Sequence, residues 1–219
     1  MTELRIPDPS LVVFIGPAGA GKSTLARRLF HPTEILSSDA IRAAISGDEA
    51  DQSVSRAAFA VLHHELARRL ADGRLTVVDA TNLTAAGRRP LLRRAEAAGV
   101  PAVAIVLALP ADVVRARNGR RARVVDPGVV DRHLARVRSI AELGPERLRA
   151  EGFTAVTIVR STDEADRLTV IRVASAGARH PSEGPSPQLH PDTVAQVDVA
   201  ANDVQGGLRA LGPDEKDRR

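Results

Sequence analysis

Short apolar runs alternate with amphipathic segments along most of the chain. Five runs have the length and composition of buried strands, at residues 11–15, 34–37, 75–78, 102–107 and 154–159. Segments with apolar residues three and four positions apart follow these runs and predict helices, at residues 22–29, 39–45, 53–71, 85–98, 110–118 and 129–143. Strands that alternate with helices predict an α/β fold whose sheet is mostly parallel.

The two ends of the chain give weaker patterns. Residues 1–10 form a short polar lead with two prolines, for which no element is predicted, and residues 168–173 are β-like and typical of an edge strand. Residues 161–164 offer a cap for one more helical turn. After residue 174 Gly, Pro and Ser recur without periodicity. We therefore predict a folded domain over residues 1–174 and a disordered tail over residues 175–219.

A glycine-rich turn follows the first apolar run. Residues 16–23 match the P-loop pattern G-x-x-x-x-G-K-[ST] without a mismatch. Glycines let backbone N–H groups curl around a phosphate, and the following helix points its positive end at the same anion. The predicted nucleotide-binding residues are Gly16, Pro17, Ala18, Gly19, Ala20, Gly21, Lys22, Ser23 and Thr24. The alternative is a glycine-rich turn that binds nothing.

The chemistry of this loop predicts ATP and Mg²⁺ as cofactors. Lys22 can reach the β- and γ-phosphates of a nucleotide, and the Ser23 hydroxyl can ligate Mg²⁺. The chain contains 31 Lys and Arg residues, but only Lys22 and Lys216 are lysines. A compact ammonium on a flexible stem therefore stands in the one loop where phosphate binding requires it.

Composition limits the remaining classes of protein. The 219 residues are 43% hydrophobic, enough to bury a core, and the absence of cysteine excludes disulfides and thiolate metal sites. No apolar run approaches the roughly 18 residues that span a bilayer, which predicts a cytoplasmic protein without a membrane partner. The net charge of +4 permits an anionic partner without identifying one.

Two further carboxylates follow predicted strands. Asp39 could accept the proton of an acceptor hydroxyl, and Arg42, three residues later, could face the same site. The alternative makes Asp39 a helix N-cap or a first-turn charge. Asp79 stands where a Walker-B carboxylate stands and could hold Mg²⁺ through water, or it could cap the strand-to-helix turn. Both interpretations of Asp79 remain open.

Arginines concentrate near residue 120. The cluster contains Arg115, Arg117, Arg120, Arg121 and Arg123, and it continues with Arg132, Arg136 and Arg138. Arginines neutralise charge on transferring phosphoryl groups, and Arg117 and Arg121 are four residues apart, so one helical turn could present both. We expect these two to be catalytic and most others to form a solvated face.

Histidines 63 and 64 are adjacent on a predicted helix and point different ways. We therefore predict that one packs, that one is solvated, and that they form no metal site.

The ordered set of motifs resembles the P-loop polynucleotide-kinase family, in particular the kinase module of bacterial polynucleotide kinase-phosphatases and their stand-alone relatives. The matching segments are residues 16–23, 37–42, 78–83, 88–92 and 101–107, followed by Arg117-Asn118, which opens an arginine-rich lid. The resemblance covers roughly residues 10–160. It departs from the family where Ala122-Arg123-Val124 replaces the usual Asp-Arg pair of the lid.

This resemblance implies a P-loop kinase fold and a role for each matching residue. Asp39 would be the general base on a 5′-hydroxyl, Arg42 would contact an acceptor phosphate, and Arg117 and Arg121 would clamp the ATP phosphates. The predicted function is transfer of the γ-phosphoryl group of ATP to a hydroxyl, with a 5′-hydroxyl end of RNA or DNA as the leading acceptor. A small-molecule kinase for a sugar, nucleoside or antibiotic is the second hypothesis, and a nucleotide-dependent switch ATPase is the third.

Overall fold

The computed structural model describes residues 2–47, 54–121 and 124–174. Its strands are β1 (Thr2–Asp8), β2 (Leu11–Ile15), β3 (Ile35–Ser37), β4 (Thr76–Asp79), β5 (Ala102–Leu107), β6 (Ala155–Val159) and β7 (Leu168–Ala174). Its helices are α1 (Lys22–Leu29), α2 (Ser38–Ser46), α3 (Ser55–Ala71), α4 (Ala85–Ala97), α5 (Ala111–Gly119), α6 (Pro127–Leu143), α7 (Pro145–Arg149) and α8 (Thr162–Arg167). The predictions for Arg123, the tail over residues 175–219 and most of the loop over residues 46–52 lie outside the described residues.

A five-stranded sheet forms the centre of the domain. Its strands run in the order β3-β4-β2-β5-β6, and every neighbouring pair is parallel. Parallel neighbours need crossover connections, which the helices between the strands provide. The predicted α/β fold with a mostly parallel sheet is therefore confirmed.

The central strand β2 is buried on both faces. Leu11, Val13 and Ile15 pack on one side with residues of α2, α3 and α4, whereas Val12 and Phe14 pack on the other side with residues of α1 and α5. The continuous apolar run 11–15 is explained by this position, because a strand covered on both faces has no polar side.

The carboxyl ends of three strands lie together at one edge of the sheet. Asp79, the last residue of β4, is in register with Phe14 of β2 and with Ser37 of β3. The P-loop follows β2 and Asp39 follows β3, so both begin at this edge. Open parallel sheets bind their ligands beyond these strand ends.

The polar lead over residues 1–10, for which no element was predicted, contains a strand. Residues 2–8 form β1, which pairs in parallel with β7 in a separate two-stranded sheet. Leu4 and Ile6 are buried, and the exposed Glu3 and Arg5 alternate with them. Two alternating apolar positions before Pro7 are too short a pattern to predict a strand, and the partner strand lies at the other end of the domain. The strand predicted over residues 168–173 is confirmed.

Smaller differences occur at element boundaries. A 3-10 turn over Pro32–Glu34 precedes β3, and the short helix α7 follows Gly144, where no helix was predicted. The predicted extra turn after residue 161 is confirmed as α8, which Ser161 caps by accepting a hydrogen bond from the Glu164 N–H over 3.1 Å. Within the described ranges, none of the helices has the length and apolar character needed to cross a bilayer.

The burial of β1 generates a stability prediction. Ile6 is fully buried with the cluster that also contains Phe14 and Leu168. Ile6→Ala should lower the free energy of unfolding by about 2–5 kcal/mol, because it removes buried apolar contacts and leaves a cavity. Urea denaturation measures this loss. Arg5→Ala, at the exposed neighbouring position, is the control and should change stability by about 0.5 kcal/mol or less. Equal effects would mean that β1 is not part of the core.

Candidate phosphate-binding and transfer site

The glycine-rich loop is fixed to the strand beside it. The Gly16 N–H donates to the Thr81 carbonyl over 3.0 Å, which joins the end of β2 to the loop between β4 and α4. Gly19 and Gly21 have φ values of 84° and 89°, a left-handed conformation that side chains with a Cβ rarely adopt. Gly21 is also the N-cap of α1. The backbone therefore leaves the strand, curls and enters the helix as a phosphate-binding loop does.

Helix α5 lies against this loop. A Cβ at Gly19 would come within 2.8 Å of the Val114 carbonyl oxygen, and a Cβ at Gly21 would come within 3.3 Å of Arg117 Nη1. Gly19 is thus required by space as well as by conformation, whereas Gly21 is required by its conformation. The second contact places the Arg117 guanidinium directly beside the loop, although the arginine itself is exposed.

Lys22 lies in the first turn of α1 with 9% of its surface exposed. Its Nζ donates to the Pro17 carbonyl of the same loop over 2.9 Å. Burial lowers the pKa of Lys22 to about 8, the carboxylates of Asp79 and Asp39 oppose that shift, and the charge of Arg121 adds to it. These three side chains are therefore close enough to Lys22 to act on it electrostatically.

Asp39 lies in the first turn of α2, but Ser37 is the residue that caps this helix. Ser37 Oγ accepts from the Ala40 N–H over 3.4 Å. Arg42 is buried and forms an ion pair with the Asp39 carboxylate, whose own side chain is 41% exposed. The expectation that Asp39 and Arg42 face the same region agrees with this pair. Asp39 is therefore not the N-cap of α2, but it is a charge in its first turn, as the alternative also allowed, and its role as a base stays a prediction.

Asp79 is buried at the end of β4. The N-cap of α4 is Thr84, whose Oγ1 accepts from the Gly87 N–H over 3.1 Å, so Asp79 does not cap the helix that follows. A carboxylate here and the Ser23 hydroxyl are hard oxygen donors, and Mg²⁺ prefers such donors in combination with nucleotide phosphates. The donor set fits Mg²⁺ bound through a nucleotide. No group of three or more metal-ligating side chains occurs in the described ranges.

A hydrogen-bond network around the buried Arg88, which the sequence did not predict, holds the loop after β4. Asn82 has a positive φ of 48°, and its side-chain amide donates to the Phe14 carbonyl over 2.9 Å. Arg88 Nη1 donates to the Asn82 carbonyl over 2.8 Å, and its Nε and Nη2 bind the Glu151 carboxylate over 2.8 and 2.7 Å. Arg88 therefore fixes the loop that in turn holds Gly16. Glu151 is 63 residues away along the chain, so no local pattern predicts this pair.

The arginine cluster divides into groups with different surroundings. Arg115 forms an exposed ion pair with Asp131 over 2.9 Å, whereas Arg117 lies beside Gly21. Helix α5 ends at Gly119, and a further turn brings the Arg121 N–H onto the Asn118 carbonyl over 3.2 Å. Arg121 is exposed and lies within electrostatic reach of Lys22. The roles of Arg117 and Arg121, and of the segment as a lid, stay predictions.

A cavity of about 320 Å³ opens beside the loop after β4. Residues 81–84 form one wall, and the other walls come from α3 (Phe59, His63), α4 (Gly87, Pro90) and α6 (His133, Arg136). His63 is half-buried and His64 is exposed, which confirms that one packs and one is solvated. The sequence did not predict a role for His133.

Comparisons with known proteins agree with this fold. A family model described as an AAA domain matches residues 11–143. One similar solved structure is the Pnkp1/Rnl/Hen1 RNA repair complex, with 18% identity and a TM-score of 0.54 over 63% of this chain and 47% of that chain. Another is the PezAT toxin-antitoxin system of Streptococcus pneumoniae, with 14% identity and a TM-score of 0.52 over 93% of this chain and 89% of that chain. A sugar kinase from Janibacter has a TM-score of 0.46 at 19% identity, over 69% of this chain and 85% of that chain. No curated protein matches the sequence. The structural likenesses concern the fold alone.

The buried network around Arg88 generates a stability prediction. Arg88→Met should lower the free energy of unfolding by about 3–5 kcal/mol, because it leaves Glu151 unpaired. Thermal and urea unfolding measure the loss. Arg89→Met, at the exposed neighbour, is the control, and the double variant Arg88→Met, Glu151→Leu should recover part of the loss. If Arg88→Met costs no more than Arg89→Met, the network does not hold this loop.

Proposed function

We propose that this chain, which belongs to the AAA-domain family, is an ATP- and Mg²⁺-dependent phosphotransferase. In the proposed reaction the γ-phosphoryl group moves from ATP to a hydroxyl group of an acceptor. One observation carries the proposal: the buried lysine of a phosphate-binding loop lies within electrostatic reach of two carboxylates and one arginine, and a second arginine lies beside the loop at Gly21. That combination supplies the charges that phosphoryl transfer requires.

Each of these side chains has a task that follows from its position. The backbone of residues 16–24 and Lys22 would bind the β- and γ-phosphates, while Ser23 and Asp79 would hold Mg²⁺ against them. Arg117 and Arg121 would neutralise the charge that develops on the transferred group. Arg42 would orient Asp39 and contact an anionic part of the acceptor.

The covalent step balances with ATP and the acceptor alone. A bond forms between the acceptor oxygen and the γ-phosphorus, and the bond from the γ-phosphorus to the bridging oxygen breaks, which releases ADP. The proton of the acceptor hydroxyl passes to the Asp39 carboxylate, whose partial exposure leaves it accessible to an acceptor.

Our first proposal for the acceptor is a 5′-hydroxyl end of RNA or DNA. The ordered motifs support it, and so does the fold shared with the RNA repair complex at a TM-score of 0.54. A small-molecule hydroxyl is the second candidate, and the modest size of the cavity beside the loop favours it. A screen of acceptors with ATP labelled at the γ-phosphate tests both. Transfer to a polynucleotide should weaken steeply with salt, whereas transfer to a neutral small molecule should not.

The third hypothesis, a switch ATPase with little transfer activity, makes a different prediction for Asp39. A switch needs no base beside an acceptor. Asp39→Asn should lower the turnover of transfer by about 10²–10⁴-fold and leave ATP affinity nearly unchanged. Asp72→Asn is a matched control, because Asp72 is a partly exposed carboxylate paired with Arg68. Steady-state kinetics with ATP titration separates the two effects, and unchanged turnover would remove Asp39 from the mechanism.

The position of Arg117 generates a prediction about charge development. Arg117→Ala should lower turnover by roughly 100- to 1,000-fold while it weakens ground-state ATP binding much less, because its charge acts on the transferring group. Arg115→Ala, two residues earlier on α5 and paired with Asp131, is the control and should be nearly silent. Single-turnover rates and ATP dissociation constants test the difference. Equal losses in rate and affinity would make Arg117 a simple binding residue.

A further inference from the structure

Asn118 is a buried polar side chain at the end of α5, beside the phosphate-binding loop. It is 4% exposed, although amide side chains are mostly found at the surface of proteins. A Cβ at Gly19 would come within 3.2 Å of the Asn118 nitrogen and within 3.3 Å of its Cβ, so Asn118 packs directly against the tight turn of that loop. The proposed transfer step gives this side chain no task.

The Asn118 amide pairs with both backbone groups of one residue, Val125. Its Nδ2 donates to the Val125 carbonyl over 2.8 Å, and its Oδ1 accepts from the Val125 N–H over 3.1 Å. An amide group supplies a donor and an acceptor side by side, as the backbone of a neighbouring strand would. The side chain therefore ties the end of α5 to a point seven residues further along the chain.

Val125, at the other end of this tie, is packed into the domain. Its half-buried side chain lies on the apolar cluster that contains Val114 and Val130. The next residue, Asp126, is the N-cap of α6, and its carboxylate accepts from the Val129 N–H over 3.1 Å. The amide of Asn118 therefore joins the phosphate-binding loop to the start of α6.

Arg121 lies between the two tied ends. Helix α5 ends at Gly119, so the helix does not fix Arg121 as it fixes Arg117. The Arg121 N–H donates to the Asn118 carbonyl over 3.2 Å, and the charge of Arg121 acts on Lys22. The distance between the Arg121 charge and the phosphate-binding loop therefore depends on Asn118, through its carbonyl and through its side chain.

We propose that Asn118 is a positioning residue for phosphoryl transfer, because it holds Arg121 at the phosphate-binding loop. Asn118 itself would touch neither ATP nor the acceptor and would act through the arginine. The inference rests on the proposed function, since it concerns the arginine to which that function assigns neutralisation of the developing charge. The alternative is that Asn118 closes the chain and contributes to stability without an effect on the rate.

The variant Asn118→Ala removes both side-chain hydrogen bonds. Transfer from γ-labelled ATP is followed in single turnovers with a 5′-hydroxyl oligouridylate as the acceptor probe, and labelled phosphate released to water is recorded in the same samples. The transfer rate should fall about 10- to 100-fold, which a displacement of a reacting group by about 1 Å can cause. The dissociation constant of ATP should change by about threefold or less, because the arginine acts on charge that develops during transfer.

A double-mutant cycle separates positioning from stability. In the Arg121→Ala background, Asn118→Ala should lower the rate by about threefold or less, because the group that it positions is already absent. In the Arg115→Ala background the full loss should return, since Arg115 is exposed and paired with Asp131. An equal loss in both backgrounds would overturn the proposal.

Hydrogen exchange of the Val125 amide, followed by NMR on the full-length protein, measures the tie without any transfer. The amide should exchange at least about tenfold faster in Asn118→Ala, because its acceptor is gone. Ile6→Ala, which destabilises the domain away from this segment, is the control. It should leave the transfer rate nearly unchanged, and its effect on Val125 exchange should be smaller.

If Asn118→Ala fails to fold, Asn118→Ser is the second variant, since its shorter hydroxyl fills part of the space and cannot keep both hydrogen bonds. It should show the same coupling with Arg121→Ala. Transfer at an unchanged rate in a folded Asn118 variant would overturn the positioning role and leave the proposed function intact. Faster Val125 exchange in a protein that transfers phosphoryl groups neither to the probe nor to water would show that the tie exists but that the proposed function, and with it the positioning role, is wrong.

Discussion

The burial of the Lys22 ammonium at the end of the central strand is the constraint on which the candidate site depends. A buried cation is costly, and burial is the largest cause of its lowered pKa. The protein compensates only in part, with the Pro17 carbonyl in contact and with Asp79 and Asp39 at longer range. A nucleotide phosphate would supply the full counter-charge. The free protein therefore holds a positive site whose natural complement is an anion.

The surroundings of Lys22 follow from the sheet. Its parallel strands bring the P-loop, Asp39 and Asp79 to one edge, and the hydrogen bond from Gly16 to Thr81 joins the loop to the neighbouring turn. That turn is held by Arg88, and it also forms one wall of the cavity between α3, α4 and α6. The residues proposed to bind phosphate and Mg²⁺ are thus held at one edge of the sheet, and accurate positioning of reacting groups requires such a common support.

The sequence predicted correctly those structural features that neighbouring residues determine. The P-loop is a contiguous pattern whose glycine conformations and following helix are set by neighbouring residues, so it could be placed without a structure. The continuous apolar runs of β2 and β5 also identified buried strands. Strand β1 was missed because its stability depends on β7, more than 160 residues later. The pairing of Arg88 with Glu151 and the presence of His63 and His133 around one cavity likewise depend on tertiary contacts that no spacing along the chain reveals.

The affinity of the Lys22→Met variant for ATP most directly tests whether the buried Lys22 binds the nucleotide. The control is Lys216→Met, which changes the other lysine of the chain. We predict that the dissociation constant of ATP rises at least about tenfold in Lys22→Met, because a charged hydrogen bond of about 1.5–3 kcal/mol is removed. Lys216→Met should bind ATP as tightly as the unchanged protein. Because the pKa of Lys22 is about 8 in the folded protein against 10.5 when unfolded, protonation of Lys22 costs stability progressively as the pH falls from 10.5 to about 8, and the full cost applies at lower pH. Lys22→Met should therefore be at least as stable at pH 7. Unchanged ATP affinity in this folded variant would contradict the account.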